Sequence, residues 1–326
     1  MLPALLALAL LALSVVSLQI GTEPLSVVDT WKGLFSSDDS VQSVIMLEIR
    51  LPRLLIGLFA GATLGLCGAA MQGLLQNPLA SPGLLGSSAG AAFGVIFVLY
   101  FGISAANHWT VPLSGMAGSL LATACVYSLA GRDAGITTII LAGVAINAIA
   151  SAGISLLLNL APSPYAAQEM LLWTFGDLTD RSMTDFYLLL PFTLLGWMIM
   201  LGTGKQLDAL TLGENTAFSM GVNTSRLRWR LFIAVSLAVG AAVAATGMIG
   251  FIGLVVPHIM RPWVKYQPSR LLPVSALGGA LMLLVADIGV RLIPSQTSIK
   301  VGVLTALVGA PFFLHLIVRA RRQYIQ

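Results

Sequence analysis

The run LFIAVSLAVGAAVAATGMIGFIGLVVPHIM, residues 231–260, decides how many times this chain crosses a membrane. It holds 30 residues and no charge. A helix needs about 20 apolar residues to cross the hydrocarbon core of a bilayer, so the run is long for one span and short for two. Charge parity settles the matter. Arg226, Arg228 and Arg230 precede the run, and Arg261, Lys265 and Arg270 follow it. Basic residues collect on the cytoplasmic side, and the two clusters share that side only if the chain crosses an even number of times between them. The run therefore reads as a span and a short returning helix, divided near Thr246-Gly247.

The whole composition agrees with a membrane setting. Of 326 residues 57% are hydrophobic and 9% charged, with a mean hydropathy of +0.91, whereas soluble domains carry about a quarter charged residues. The expected class is an all-α, polytopic membrane bundle forming a single transmembrane domain over residues 1–326. The net charge of +4 is a topology signal here and gives no reason to expect nucleic acid as a partner. Cys67 and Cys125 both lie in apolar runs, which offers neither a disulfide framework nor metal-ligand spacing.

Outward from the deciding run, the remaining spans follow from charge-free stretches and turn residues. Residues 1–20 lack the basic leading segment and the small-residue cleavage site of a signal peptide and read as a first span. From Leu54 to Gly131 there are 78 residues without Asp, Glu, Lys or Arg, room for three spans at about 53–75, 87–104 and 113–130. Their turns fall at Asn77-Pro78 with Ser81-Pro82-Gly83, and at Asn107-His108 with Pro112. Further spans are read at about 137–160, 186–204, 271–292 and 301–318, which makes about ten.

Counting charges checks this topology. With both termini inside, the cytoplasmic segments hold eleven basic and three acidic residues, the outer segments hold six and nine, and Asp287 lies near a membrane boundary. An odd number of spans would put one terminus on the wrong side. Gly57, Gly61 and Gly65 recur every fourth position, with Gly68 and Ala69 continuing the stripe, which reads as close helix packing. The 33 glycines and 15 prolines point to short, bent or interrupted helices around a cavity.

One long charged interruption divides the second half, KQLDALTLGENTAFSMGVNTSRLRWR at 205–230. It keeps Leu207, Leu210, Phe218 and Met220 at helical spacing, which a solvated loop does not need, and it reads as a cytoplasmic docking surface. No GxxxxGK[ST] loop, HExxH or Ser/His/Asp constellation is present, so the chain is expected not to be an enzyme, and any ATP is bound elsewhere. Asp287 and Arg291 stand one helical turn apart and can pair. The pair is either functional, as ionisable residues near membranes are, or a salt bridge that satisfies a helix end. Arg50-Leu51-Pro52-Arg53 falls on the outer side. Pro52 suits a first helical turn, so both arginines are expected to project from the second span toward lipid phosphate or an acidic partner. Arg226, Arg228 and Arg230 are expected to anchor the following span at the lipid boundary. His258 and His315 are isolated and read as structural. The competing class, an ion-coupled secondary transporter, would need an unpaired acid deep in another span, and none is found.

In order and spacing, RLPR at 50–53, MQGLLQNPLASPGLLG at 71–86, LAGVAIN at 141–147, LGENTAFSMG at 212–221, GFIGLVVPHIMR at 250–261, LLPVSALGGALMLLVADIGVR at 271–291 and VGVLTALVGAPFF at 301–313 resemble one family. It is the permease subunits of type II ATP-binding cassette importers for iron-siderophore complexes, haem and vitamin B12. The resemblance implies ten spans per subunit in a bacterial inner membrane, and a homodimer or close heterodimer of permeases. Two cytoplasmic ATPase subunits would bind ATP and Mg, and an outer binding protein would deliver cargo. It places ATPase coupling on short helices at Leu212, Gly213, Glu214, Ala217 and Gly221, and binding-protein docking on Arg50, Arg53 and Arg291. It places an inner gate at Asn77 and Leu79, with Ile136 and Thr137, where the latter pair departs from small polar residues. Ser298-Ile299-Lys300 departs from the acid followed by proline of many relatives. The implied cargo is a ferric siderophore first and haem next, with vitamin B12 or an oxyanion such as molybdate as alternatives.

Overall fold

The run at 231–260 breaks where charge parity requires. In the computed structural model, which describes residues 2–21, 26–35, 40–103, 107–131, 135–293 and 299–323, helix α12 (Thr224–Thr246) stops at Gly247 and helix α13 (Ile252–Met260) begins five residues later. Gly247 has φ +71°, and a Cβ there would lie 2.3 Å from the Trp173 carbonyl oxygen. Both the left-handed backbone and the crowding demand glycine.

The other helices are α1 (Leu2–Gln19), α2 (Val27–Phe35), α3 (Val41–Val44), α4 (Leu51–Leu74), α5 (Ser87–Tyr100), α6 (Thr110–Ala130), α7 (Ile136–Asn159), α8 (Pro164–Thr174), α9 (Met183–Met200), α10 (Thr203–Leu210), α11 (Glu214–Ser219), α14 (Pro268–Leu292) and α15 (Val301–Gln323). No strand occurs among the described residues. Each of the ten segments read from sequence is helical. Among the described residues seven helical stretches are long and apolar enough to span by length and composition, and α5, α13 and the Val301–His315 part of α15 are shorter.

The second span starts earlier than expected. α3 runs through a π-helical turn at Ile45–Arg50 directly into α4, and the Leu51 N–H donates to Met46 O. Pro52 explains the widening, because its ring crowds the carbonyl four residues back and it has no N–H to donate. The RLPR stretch therefore lies inside a continuous helix and not at its mouth.

α12 sits at the centre. Its Ala, Gly, Ser and Val residues are buried along nearly the whole length, which lets α4, α5, α6 and α9 close around it. Ser119 Oγ donates to Ser236 O at 2.9 Å and Ser236 Oγ to Thr123 Oγ1 at 2.6 Å, joining α6 to α12 by hydrogen bonds where lipid offers no hydrophobic drive. The most extensive contact is between α4 and α14, and α4 meets backbone at close range along it. A Cβ on Gly65 would lie 2.0 Å from Ser275 O, one on Gly61 2.5 Å from Gly279 O, and one on Gly68 1.9 Å from Gly253 O of α13.

Two stretches of irregular backbone lie within the bundle. Residues 75–86 lead into α5, and Leu84 O packs against Gly143, about 10 Å along α7. Residues 247–251 lead into α13. The first stretch meets the start of α13 where Gly253 faces the Pro82 ring, and residues of both stretches, among them Ser81, Pro82, Met248 and Phe251, line a cavity of about 220 Å³ with Leu64 and Ser88. Non-helical backbone at membrane depth is tolerated where it lines such a cavity.

Candidate functional site

The interruption at 205–230 folds into two short helices with opposite surroundings. α10 is an anchor. Leu207 and Leu210 are buried in the core, and Leu207 lies beside Gly73 of α4. Gln76 Nε2 donates to Leu210 O at 2.5 Å. The Asp208 carboxylate accepts from the Ser269 N–H at 2.8 Å and from Gln267 Nε2 at 3.2 Å, at the start of α14. α11 is a presenting surface. Gly213 at φ +98° and Gly221 at φ +82° turn the chain at its ends, and Ala217 faces inward with no exposure. Glu214 pairs with Arg228 of α12. Leu212, Phe218 and Met220 stand 62%, 74% and 61% exposed, so three large apolar side chains share one small projection.

Two of the three arginines before α12 are engaged within the chain. Arg228 holds Glu214, and Arg230 Nε donates to Ile199 O at 2.6 Å, satisfying a carbonyl in the last turn of α9. Arg226 alone of the three is exposed. Gln72, given no role from sequence, and Arg261, read there only as a cytoplasmic charge, join α4 to the end of α13: Arg261 Nη2 donates to Gln72 Oε1, and Gln72 Nε2 to Leu254 O at 3.2 Å. The i, i+4 spacing of Gln72 and Gln76 at the end of an apolar helix was the available signal.

At the opposite end of the bundle lies a charged cluster. Asp287, 2% exposed, bridges Arg53 and Arg291 at 2.7 Å each. Arg291 Nη1 also donates to Ser17 O and Ile20 O, and Arg50 Nη1 to Leu18 O and Gln19 O. The last carbonyls of α1 are thereby satisfied by two guanidinium groups at the negative end of its dipole. Arg50 is 6% exposed; it folds under α1 and does not project, because the end of α1 arrives on top of it.

The expected Asp287–Arg291 pair is present, with Arg53 added. Asp287→Ala would leave two largely buried cations without their carboxylate, a change that costs about 3–5 kcal/mol. Thermal unfolding of the purified protein should fall well below that of wild type, with Asp287→Asn in between; equal midpoints for all three would contradict the assignment.

Near that end, Lys300 pairs with Asp177. Burial pushes the Asp177 carboxyl up, but the Lys300 ammonium and two bonds from Thr179 more than offset this and hold it below the ordinary carboxylate range. A depressed carboxylate value contributes stability above the unfolded value of about 4 and loses it as pH falls through the folded one. Ser298 lies outside the described residues.

Of the residues expected at the inner gate, Asn77 and Leu79 follow Gln76, which bonds to the end of α10. Asn77 Oδ1 accepts from the Leu79 N–H at 2.9 Å, closing an Asx turn, and Leu79 is exposed. Ile136 and Thr137 open α7, half-buried and exposed respectively. No hydrogen bond joins the two pairs among the described residues. The segments are linked instead through Asn147 Nδ2, which donates to Gly83 O at 2.7 Å.

Seven span-length apolar helical stretches among the described residues, irregular backbone inside the bundle and a projecting helix at one end define a polytopic membrane protein. The chain belongs to the FecCD transport family, whose sequence profile matches residues 9–319. It is 37% identical over 326 residues to the haemin transport system permease of Yersinia pestis, covering 98% of this chain and 95% of that one. It is 35% identical to an Fe(3+)-citrate import system permease of Bacillus subtilis, covering 94% and 90%. It is 36% identical to the vitamin B12 import system permease of Vibrio cholerae, covering 89% and 88%. Among solved structures it is similar to an ABC transporter assigned to the metal-chelate type in an inward-facing conformation, with a TM-score of 0.87, 30% identity and coverage of 97% and 98%.

Proposed function

We propose that this chain is one of a pair of permease subunits in an ATP-driven importer of a ferric chelate, with the α10–α11 end facing the cytoplasm and both termini inside. The observation that carries this reading is the α11 region, where exposed Leu212 before the helix, Phe218 within it and Met220 just after it form an apolar projection at the end richest in basic residues. Two ATPase subunits dock there and hold ATP and Mg, so hydrolysis resides outside this chain. An outer substrate-binding protein meets the opposite end. Arg50, Arg53 and Arg291 serve that docking in different ways: acidic side chains of the binding protein exchange with Asp287 for Arg53 and Arg291, while Arg50 holds α1 beneath them. Asn77, Leu79, Ile136 and Thr137 line the inner opening. Each ligand shifts the pathway only through its differential affinity for the two states.

Relatives named for iron citrate and haemin support an iron chelate as cargo, and the vitamin B12 relative supplies the competing reading. The test is a complex of this chain with its ATPase in vesicles, supplied with binding protein preloaded with ferric citrate, a ferric hydroxamate, haemin or cyanocobalamin. An iron chelate should stimulate hydrolysis. Stimulation by cyanocobalamin alone would overturn the cargo assignment.

A further inference from the structure

Resting on the reading that α11 receives the ATPase, we infer that Asp208 is a positioning residue that bolts the ATPase-facing segment to α14, so that α4 and α14 move with it as one lever. α14 opens with Gln267, Pro268 and Ser269. Gln267 supplies no side-chain cap, and Pro268 has no N–H. Ser269 therefore carries the first free amide of the helix, and its acceptor is the Asp208 carboxylate of another helix, 61 residues earlier. A carboxylate at a helix N-terminus is held by both the hydrogen bond and the dipole. The second Asp208 oxygen takes the Gln267 side chain. Gly204 of α10 lies so close to Ser269 that a Cβ would come within 2.9 Å of its Cα.

A second tether runs to the turn that ends α4, from Gln76 to Leu210 O. With these ties a displacement of α10 is passed on and not absorbed by a slack loop. α14 is continuous for 25 residues and meets α4 through Gly61, Gly65, Ser275 and Gly279 with backbone against backbone, which leaves no room for one helix to slip past the other. The far end of the same pair carries the Arg53–Asp287–Arg291 cluster. A push on α11 thus reaches that cluster through Asp208, α14 and the glycine contact, a contiguous physical route between two ends of the bundle. Glu214 has a separate task, since it ties α11 to α12 through Arg228.

The test uses the full complex of permease, ATPase and binding protein in vesicles, with ferric citrate as probe. Asp208→Ala should retain the ATPase on purification and keep basal hydrolysis. It should lose stimulation by the loaded binding protein and lower uptake per ATP hydrolysed by about fivefold to thirtyfold, the factor a lost cap represents. Asp208→Asn, whose amide oxygen still accepts from Ser269, should fall between; it carries the test should the alanine variant fail to fold. Wild-type uptake per ATP in a variant that has lost thermal stability would assign Asp208 a purely structural cap and overturn the inference. Failure of the wild-type chain to retain an ATPase would overturn the function reading and the Asp208 role with it. Retention with unchanged coupling in both variants overturns the Asp208 role alone.

Discussion

Gly65→Ala is expected to unfold the contact between α4 and α14, while Gly57→Ala is expected to be tolerated. Both glycines belong to the same stripe in sequence. At Gly65 the added Cβ would stand 2.0 Å from a backbone carbonyl of α14 and 3.1 Å from the Gly279 Cα, whereas at Gly57 its only close neighbour is the Leu178 Cδ1 at 3.2 Å. Backbone of a packed helix cannot step aside as the end of a leucine side chain can. Overpacking usually costs about 1–3 kcal/mol, and a clash with main chain at this distance belongs at or above the top of that range. The thermal midpoint and the yield of monodisperse protein should collapse for Gly65→Ala and stay near wild type for Gly57→Ala. Equal behaviour of the two variants would mean that α4 and α14 are not in backbone contact.

The second large effect concerns α11. Phe218→Ser with Met220→Ser should leave the bundle folded, because both side chains are exposed and support nothing in this chain. The expected loss is in ATPase retention. Truncating apolar anchors at the centre of an interface costs about 2 kcal/mol or more each, and each 1.4 kcal/mol is about tenfold in affinity. Together the two changes should weaken association at least about a hundredfold, with uptake falling below detection. Ala217, by contrast, is fully buried, and Ala217→Leu should damage folding before it touches docking. Retention of the ATPase by the double serine variant at wild-type affinity would remove α11 from the interface.

Much of the architecture was legible because a membrane imposes simple rules. The division of 231–260 needed only span length and the side of six basic residues, and it fell at Gly247, where the backbone turns left-handed. The glycine stripe announced close packing but not which helix would be met, since a stripe looks alike whether its neighbour is a side chain or a carbonyl. RLPR misled in geometry. Nothing within four residues reveals that the end of α1 will cover Arg50, or that Asp287 will reach Arg53 from 234 positions away. The π-helical turn before Pro52 was readable in principle, as proline in a long apolar helix asks for some such relief. Asp208 stayed hidden for the reason Arg50 did: its partner is a main-chain amide in a distant helix. Leu207 and Leu210 were recognised as helical, yet alternation alone did not say that α10 would be buried and α11 presented.

The central claim is that another protein's ATP hydrolysis drives cargo through this chain. Its most direct test is accumulation of iron chelate in sealed vesicles holding the permease and its ATPase, with loaded binding protein on the side of the Arg53–Asp287–Arg291 cluster and ATP on the side of α11. The account predicts accumulation that requires ATP and both partner proteins, persists when a protonophore or sodium ionophore has collapsed the ion gradients, and disappears with the double serine variant of α11. Accumulation driven by an ion gradient without nucleotide would contradict it.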